Sequence, residues 1–238
     1  MIAHGALLWE CGEPQAGLEM TRRAHAGAVR AGMHGWKTHA ETGIARILLG
    51  LGEHAEAISR LSHLFDKTSR PLDACVTAFL LGFAHLDLGE IDQAQEWFDR
   101  AQVHAAHDDP ARLAMAHQAM ACLATVRGDW AEAARQCHDS IAKWEDAQLH
   151  SRSLVARCWG AVAEHRLGHQ PQALRMLDAA LQIHTDCSSP LQTSVLAAAC
   201  EALERPGPAA PAVGRWFIYA RLARVAWGLS LPGDGAGG

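Results

Sequence analysis

Five glycines recur along the chain at an almost constant interval, and this period constrains the fold more than any other feature. Steps of 40, 37, 39 and 40 residues separate them, and each follows an apolar run and precedes a helical stretch containing Ala: Gly12, Gly52, Gly89, Gly128 and Gly168. Stacked helix pairs produce a period of this length, because each pair buries its apolar face only against its neighbours. The spacing therefore predicts an all-α solenoid of antiparallel helix pairs.

The third repeat shows the pattern most clearly. Apolar residues at helical spacing predict a first helix from Pro71 to Leu88. Gly89 is expected to end this helix, since glycine adopts the left-handed C-cap conformation without strain. Asp92 is predicted to cap a second helix that carries Ala94 and Phe98 on one face.

The pattern of small and large residues resembles the tetratricopeptide repeat. In the third repeat it consists of Gly82 in the first helix, Gly89 at the turn, and Ala94, Phe98 and Ala101 in the second helix. The resemblance covers residues 1 to about 185 and implies a right-handed superhelix of five to six repeats. The period exceeds the usual one of about 34 residues. In this respect the chain is similar to the repeat regions of MalT-like transcriptional activators and related signalling ATPases.

The sequence predicts a single helical-repeat domain over residues 1–230. Its repeats are expected at about 1–32, 33–69, 70–109, 110–148 and 149–187, followed by a degenerate pair at 188–230 and a disordered tail at 231–238. The first helix is short, since only eleven residues precede Gly12. Two interpretations stay open: the chain is the C-terminal part of a longer signalling protein and lacks an N-terminal module, or this end docks on a partner.

Composition narrows the class of protein. The net charge of −5 does not indicate nucleic acid as a direct partner, and no apolar run approaches the roughly 20 residues of a membrane span. The N-terminus has no basic leader typical of a signal peptide. Seven dispersed cysteines without a CxxC pair are typical of reduced thiols. We therefore expect a cytoplasmic protein without membrane association.

Sequence motifs for enzymatic chemistry are weak, and we expect no catalytic residue, cofactor or resident metal. The segment 32–38 has the wrong glycine spacing for a phosphate-binding loop. Residues 137–139 are Cys, His and Asp, but consecutive helical side chains point apart. A divalent ion could bind one polar corner, although helix C-termini also attract imidazoles without a metal: His104, His107, Asp108 and Asp109.

A concave groove is the remaining candidate. In a tetratricopeptide-like superhelix the first helix of each pair lines the concave side, and the resemblance places nine residues on or near it: His39, Arg46, Phe79, Phe83, Gln118, Cys122, Trp159, His165 and Arg166. The three aromatic residues could instead belong to the core. If exposed, they would anchor a helix or peptide.

The leading hypothesis is a non-enzymatic scaffold that binds a protein or peptide, as the sensor-relay segment of a bacterial signalling or transcriptional regulator. The alternative is a regulatory domain whose concave groove binds a small effector through Trp159, Phe83 and Arg46.

Overall fold

The computed structural model describes residues 2–105, 109–186, 189–211 and 217–230, and within these ranges all regular secondary structure is helical. The all-α prediction is confirmed for this part of the chain. The predicted tail at 231–238 lies outside the described residues, as do His107, Asp108 and Cys187. The chain divides into two compact units, Met1–His104 and Ala105–Gly238.

The N-terminal unit contains three helix pairs, and each helix packs against the next one in the chain. Its helices are α1 (Ile2–Glu10), α2 (Pro14–Arg30), α3 (His34–Leu51), α4 (His54–Lys67), α5 (Pro71–Asp87) and α6 (Ile91–His104). The first helices of successive pairs, α1, α3 and α5, also contact one another in order.

The C-terminal unit continues with two helix pairs and two further helices. Its elements are α7 (Pro110–Val126), α8 (Trp130–Asp146), a 3-10 turn (His150–Arg152), α9 (Ser153–Arg166), α10 (Gln170–Asp186), α11 (Pro190–Ala202) and α12 (Ile218–Trp227). In the described residues no helix is both long and apolar enough to cross a bilayer.

The five periodic glycines all occupy the same kind of turn. Their φ angles lie between 75° and 90°, in the left-handed region. The residue after each glycine donates its backbone N–H, over 2.9 Å, to the carbonyl five positions earlier, as Glu90 does to His85. This hydrogen bond satisfies a carbonyl that the helix end leaves open. Gly89 therefore ends its helix as predicted, and one turn geometry forms all five hairpins.

A fully buried small residue follows each of the last four turns at the same position. The fifth residue after the glycine is Ala57, Ala94, Ala133 or Ala173, and each has 0 % relative exposure. Gly17 occupies this position in the first pair and is also buried. Small side chains here let the two helices of a pair approach closely, so the Ala-rich pattern in the sequence corresponds to the line of contact within each hairpin.

Asp92 does not cap α6 as expected. The helix begins one residue earlier, at Ile91, and Asp92 lies in its first turn. A carboxylate there still interacts favourably with the helix dipole, so the residue type was informative and the predicted boundary was wrong.

Replacing Gly82 by Ala should destabilise the N-terminal unit by about 1–3 kcal/mol. A Cβ at this position would lie 2.3 Å from Cε1 of Phe98, a ring that is 1 % exposed, so the ring or a helix would have to shift. Gly35→Ala is the matched control, because its Cβ would meet only a guanidinium nitrogen of Arg70 at 3.7 Å. Urea unfolding followed by circular dichroism compares the two, and equal midpoints would contradict the close approach of α5 and α6.

Candidate functional site

Three helices of the C-terminal unit form one continuous face, and the last helix lies on it. The first helices of successive pairs, α7, α9 and α11, contact one another in order. Helix α12 packs against α11 and also contacts α7. A second helix of a regular solenoid pair contacts only its neighbours, whereas α12 lies across the row of first helices.

Helix α12 is amphipathic, which explains how it can cover this face. Ile218, Leu222 and Trp227 are buried, whereas Val225 is 63 % exposed. Buried residues at a spacing of about four place the apolar side chains on one stripe. Gly228, with a φ of 77°, ends the helix in the left-handed conformation. Within the predicted degenerate pair at 188–230, residues 212–216 lie outside the described residues.

An aromatic pair joins α12 to α9. The rings of Trp159 and Trp227 meet edge to face, with centroids 5.1 Å apart. Arg166 donates from Nη2 to the backbone carbonyl of Trp227 over 3.2 Å. Its guanidinium also lies 5.5 Å from the ring centroid of Trp130, within the range of cation–π attraction. Helix α9 thus holds the C-terminal end of α12 through both an apolar contact, from Trp159, and a polar contact, from Arg166.

A buried arginine joins α12 to α11. Arg224 is 8 % exposed, and its guanidinium pairs with the carboxylate of Glu201 at 2.8 Å. Its Nε also donates to the carbonyl of Ser230. A buried guanidinium is tolerated only when it is paired and hydrogen-bonded, and these two contacts meet that requirement.

Two indole N–H groups at the α9–α12 contact are not satisfied. Nε1 of Trp159 and Nε1 of Trp227 are buried, and neither has a hydrogen-bond acceptor among the described residues. A buried donor without an acceptor costs about 1–3 kcal/mol. The contact between α12 and the face is therefore well packed but incompletely hydrogen-bonded.

The structure places the nine predicted groove residues in two different environments. Five are buried, with exposures of 8 % or less: Phe79, Phe83, Gln118, Cys122 and Trp159. The others are partly or fully exposed: His39, Arg46, His165 and Arg166. For the three aromatic residues the burial favours the core alternative. Trp159 and Arg166 both contact α12.

The remaining predicted residues make local contacts. The ring of Phe83 packs edge to face on Phe79 and Phe98, with centroids 4.8 and 5.0 Å away. His165 hydrogen-bonds through Nδ1 to Oε1 of Gln170 at 2.7 Å. His39 meets the edge of the exposed Trp36 ring with centroids 6.3 Å apart. The groove role of the exposed residues stays a prediction.

The segment Cys137–His138–Asp139 does not form a relay. Cys137 is buried, and burial raises the pKa of its thiol strongly. His138 hydrogen-bonds to Glu164, and Asp139 pairs with Arg135. Of the proposed metal corner, His107 and Asp108 lie outside the described residues. Elsewhere, within the ranges that the structure describes, no group of three His, Cys, Asp or Glu side chains could hold a metal ion.

A buried carboxylate holds three helices of the C-terminal unit together. Glu164 on α9 hydrogen-bonds to Nε2 of His138 on α8 at 2.8 Å and to Nδ1 of His169, just before α10, at 2.7 Å. Burial raises the pKa of the Glu164 carboxyl, but the hydrogen bonds and charges of the two imidazoles outweigh it. The pKa consequently lies below its ordinary value of 4.5.

Sequence reasoning missed the position of α12. The available signal was the length of the connection from Ala202 to Ile218, which exceeds the short turns elsewhere. An amphipathic helix after a long Pro-containing segment is free to reach beyond its neighbour. The Trp159–Trp227 contact joins residues far apart in the chain, which spacing alone does not indicate.

Comparison with known proteins identifies no relative, since neither the protein-family models nor the curated proteins include a match to this sequence. The assignment of the site therefore depends on its geometry.

Replacing Glu164 by Gln should lower the free energy of unfolding by about 1.5–3 kcal/mol, the range for hydrogen bonds to charged groups. Because the folded-state pKa is lowered, the stabilisation is complete above the ordinary value of 4.5 and is lost as the pH falls through the folded-state value. Asp178→Asn, an exposed carboxylate on α10, is the control. Denaturant unfolding at several pH values measures both, and a stability difference that persisted in strong acid would contradict the role of the Glu164 charge.

Proposed function

We propose that this protein is a non-enzymatic helical-repeat scaffold that binds a helical segment of a protein partner on the face formed by α7, α9 and α11. The observation that carries this proposal is α12, an amphipathic helix that already lies on that face. A surface that accepts one amphipathic helix has the shape and apolar character to accept another. Tryptophan and arginine, which make the contacts here, are the residue types that dominate such interfaces.

The incomplete hydrogen bonding of α12 supports exchange with a partner. Trp159 and Trp227 leave two buried indole donors without acceptors in the described part of the chain. A partner helix with an acceptor near Trp159 would gain a hydrogen bond that α12 does not make. Binding would then proceed by competition, with α12 displaced from the face.

We also infer that the helix pairs form a right-handed tetratricopeptide-like solenoid of five to six repeats. The chain would be the sensor-relay segment of a cytoplasmic bacterial signalling or transcriptional regulator. The supporting features are the common glycine turn and the buried alanine that recur from pair to pair. Each pair in a solenoid couples to its neighbours, so displacement of α12 from three first helices at once would alter their stacking.

The test uses a labelled peptide with the sequence of residues 217–230 and the full chain. Trp227→Ala in the protein should increase the affinity for this peptide by about tenfold or more, because the tethered α12 competes less well at its high effective concentration. Val225→Ala is the matched control, since Val225 lies on the same helix and is 63 % exposed. Fluorescence anisotropy measures the dissociation constants.

Two further measurements make the result decisive. A peptide in which the residue equivalent to Trp227 is Ala should not bind, since it lacks the ring that meets Trp159. Circular dichroism verifies that the variant chain is folded, and Leu222→Ala, which removes another buried contact of α12, serves as a second variant. The proposal fails if neither variant binds the peptide, or if both peptides bind equally well.

A further inference from the structure

A cleft of about 520 Å³ lies in the N-terminal unit, at the end of the second helix pair that is remote from Gly52. The antiparallel arrangement places the start of α3, the end of α4 and the start of α5 at this end. Its walls consist of the first turns of α3, the C-terminal half of α4, and the α4–α5 connection with Asp73. Most of its residues are exposed, so the cleft is open to solvent.

The charge of this cleft is opposite to that of the chain. Two lysines and two arginines line it against two carboxylates, which leaves a net charge of +2 with histidines neutral: Lys37, Arg60, Lys67 and Arg70 against Glu41 and Asp73. The whole chain carries −5. Two of the three lysines in the whole chain line this cleft. His34 and His63 also line it and add positive charge when protonated.

The lysine charges are available to a ligand. Within the described residues neither Lys37 nor Lys67 forms an ion pair. Arg60, in contrast, is held by Glu56 at 2.8 Å and by Glu41 at 3.1 Å. These contacts keep the Arg60 guanidinium in the wall of the cleft, where it neutralises the charge of Glu41.

Arg70 adds a fourth cation from a different element. Its pairing with Asp73 is long, at 3.5 Å, and its side chain is 62 % exposed. The guanidinium reaches across to α3, where it lies 3.7 Å from the position of a Cβ on Gly35. Charges from α3, α4 and the α4–α5 connection thus converge on one space.

Neutral donors accompany the cations. Hydroxyl groups line the cleft on both sides: Thr38, Ser59, Thr68 and Ser69. Gly35 contributes only backbone to the wall, in the first turn of a helix whose N-cap, Met33, provides no side-chain hydrogen bond. Hydroxyls and ammonium groups together satisfy the several oxygen atoms of a tetrahedral anion better than those of a single carboxylate.

We propose that this cleft is a binding site for a phosphomonoester, such as a phosphorylated serine or a small phosphorylated metabolite. A phosphomonoester carries about −1.5 to −2 charges near neutral pH, which matches the net charge of the lining, whereas one carboxylate compensates only half of it. The volume exceeds that of a phosphate group alone, so the site has room for part of the molecule that carries it. This site is independent of the face that α12 covers.

Isothermal titration calorimetry of the full chain tests the site with three probes: inorganic phosphate, a short phosphoserine peptide, and the same peptide with Glu in place of phosphoserine. We expect phosphate to bind, and its affinity to fall as salt is raised, since exposed charges are screened. Tighter binding of the phosphoserine peptide than of phosphate assigns the site to proteins. Equal or weaker binding of that peptide assigns it to small phosphorylated molecules.

The decisive variant is Lys37→Ala/Lys67→Ala, which should weaken phosphate binding by about tenfold or more, because both ammonium groups contact the anion. Arg23→Ala/Arg30→Ala is the matched control, since it removes two exposed positive charges from α2 in the same unit without touching the cleft. Circular dichroism verifies that both variants fold. The proposal is overturned if phosphate does not bind, if the Glu peptide binds as tightly as inorganic phosphate, or if the two double variants weaken binding equally.

Discussion

The close approach of two helices around a small buried residue is the constraint on which the rest of the structure depends. Each hairpin closes through a left-handed glycine, and in four of the five hairpins the alanine five residues later is fully buried, as at Ala94 and Ala133. Because the two helices of a pair approach closely where the small residue lies, larger side chains such as Phe98 can fill the neighbouring space. The first helices of successive pairs then lie next to one another. They form the row α1, α3 and α5 in the N-terminal unit and the row α7, α9 and α11 in the C-terminal unit.

The two candidate sites depend on different features of the paired helices: one on a row of first helices, the other on a cluster of helix ends. In the C-terminal unit the row of α7, α9 and α11 is an apolar face that holds α12 through Trp227 and Arg224. In the N-terminal unit the antiparallel pairing brings helix ends together, so that Lys37 and Lys67 share one cleft although 30 residues separate them. We propose that these two features give one chain a site for a phosphorylated ligand and a face for a helical partner.

The repeat could be predicted from sequence because its determinants are local. A glycine after an apolar run and an alanine five residues on lie within one hairpin, and both occupy the expected positions. The surroundings of the predicted groove residues could be predicted only in part. Helical spacing shows that Phe83 and Trp159 are on apolar faces, but which neighbour covers them depends on packing between distant segments. For Phe83 this neighbour is Phe98, and for Trp159 it is Trp227. The cationic cleft could not be predicted from the sequence for the same reason, because its charged residues come from three separate elements.

Thiol accessibility in the native chain tests the serial packing of helices most directly. Cys75, Cys122, Cys137 and Cys158 lie on four different helices and are at most 1 % exposed, whereas Cys11 is exposed. Burial also raises the pKa of the Cys122, Cys137 and Cys158 thiols, which lowers the fraction of reactive thiolate. Timed alkylation with mass-spectrometric readout should label Cys11 rapidly and these four only after denaturant is added. Labelling of Cys122 or Cys158 at the rate of Cys11 would show that the first helices are not covered, and would contradict the account.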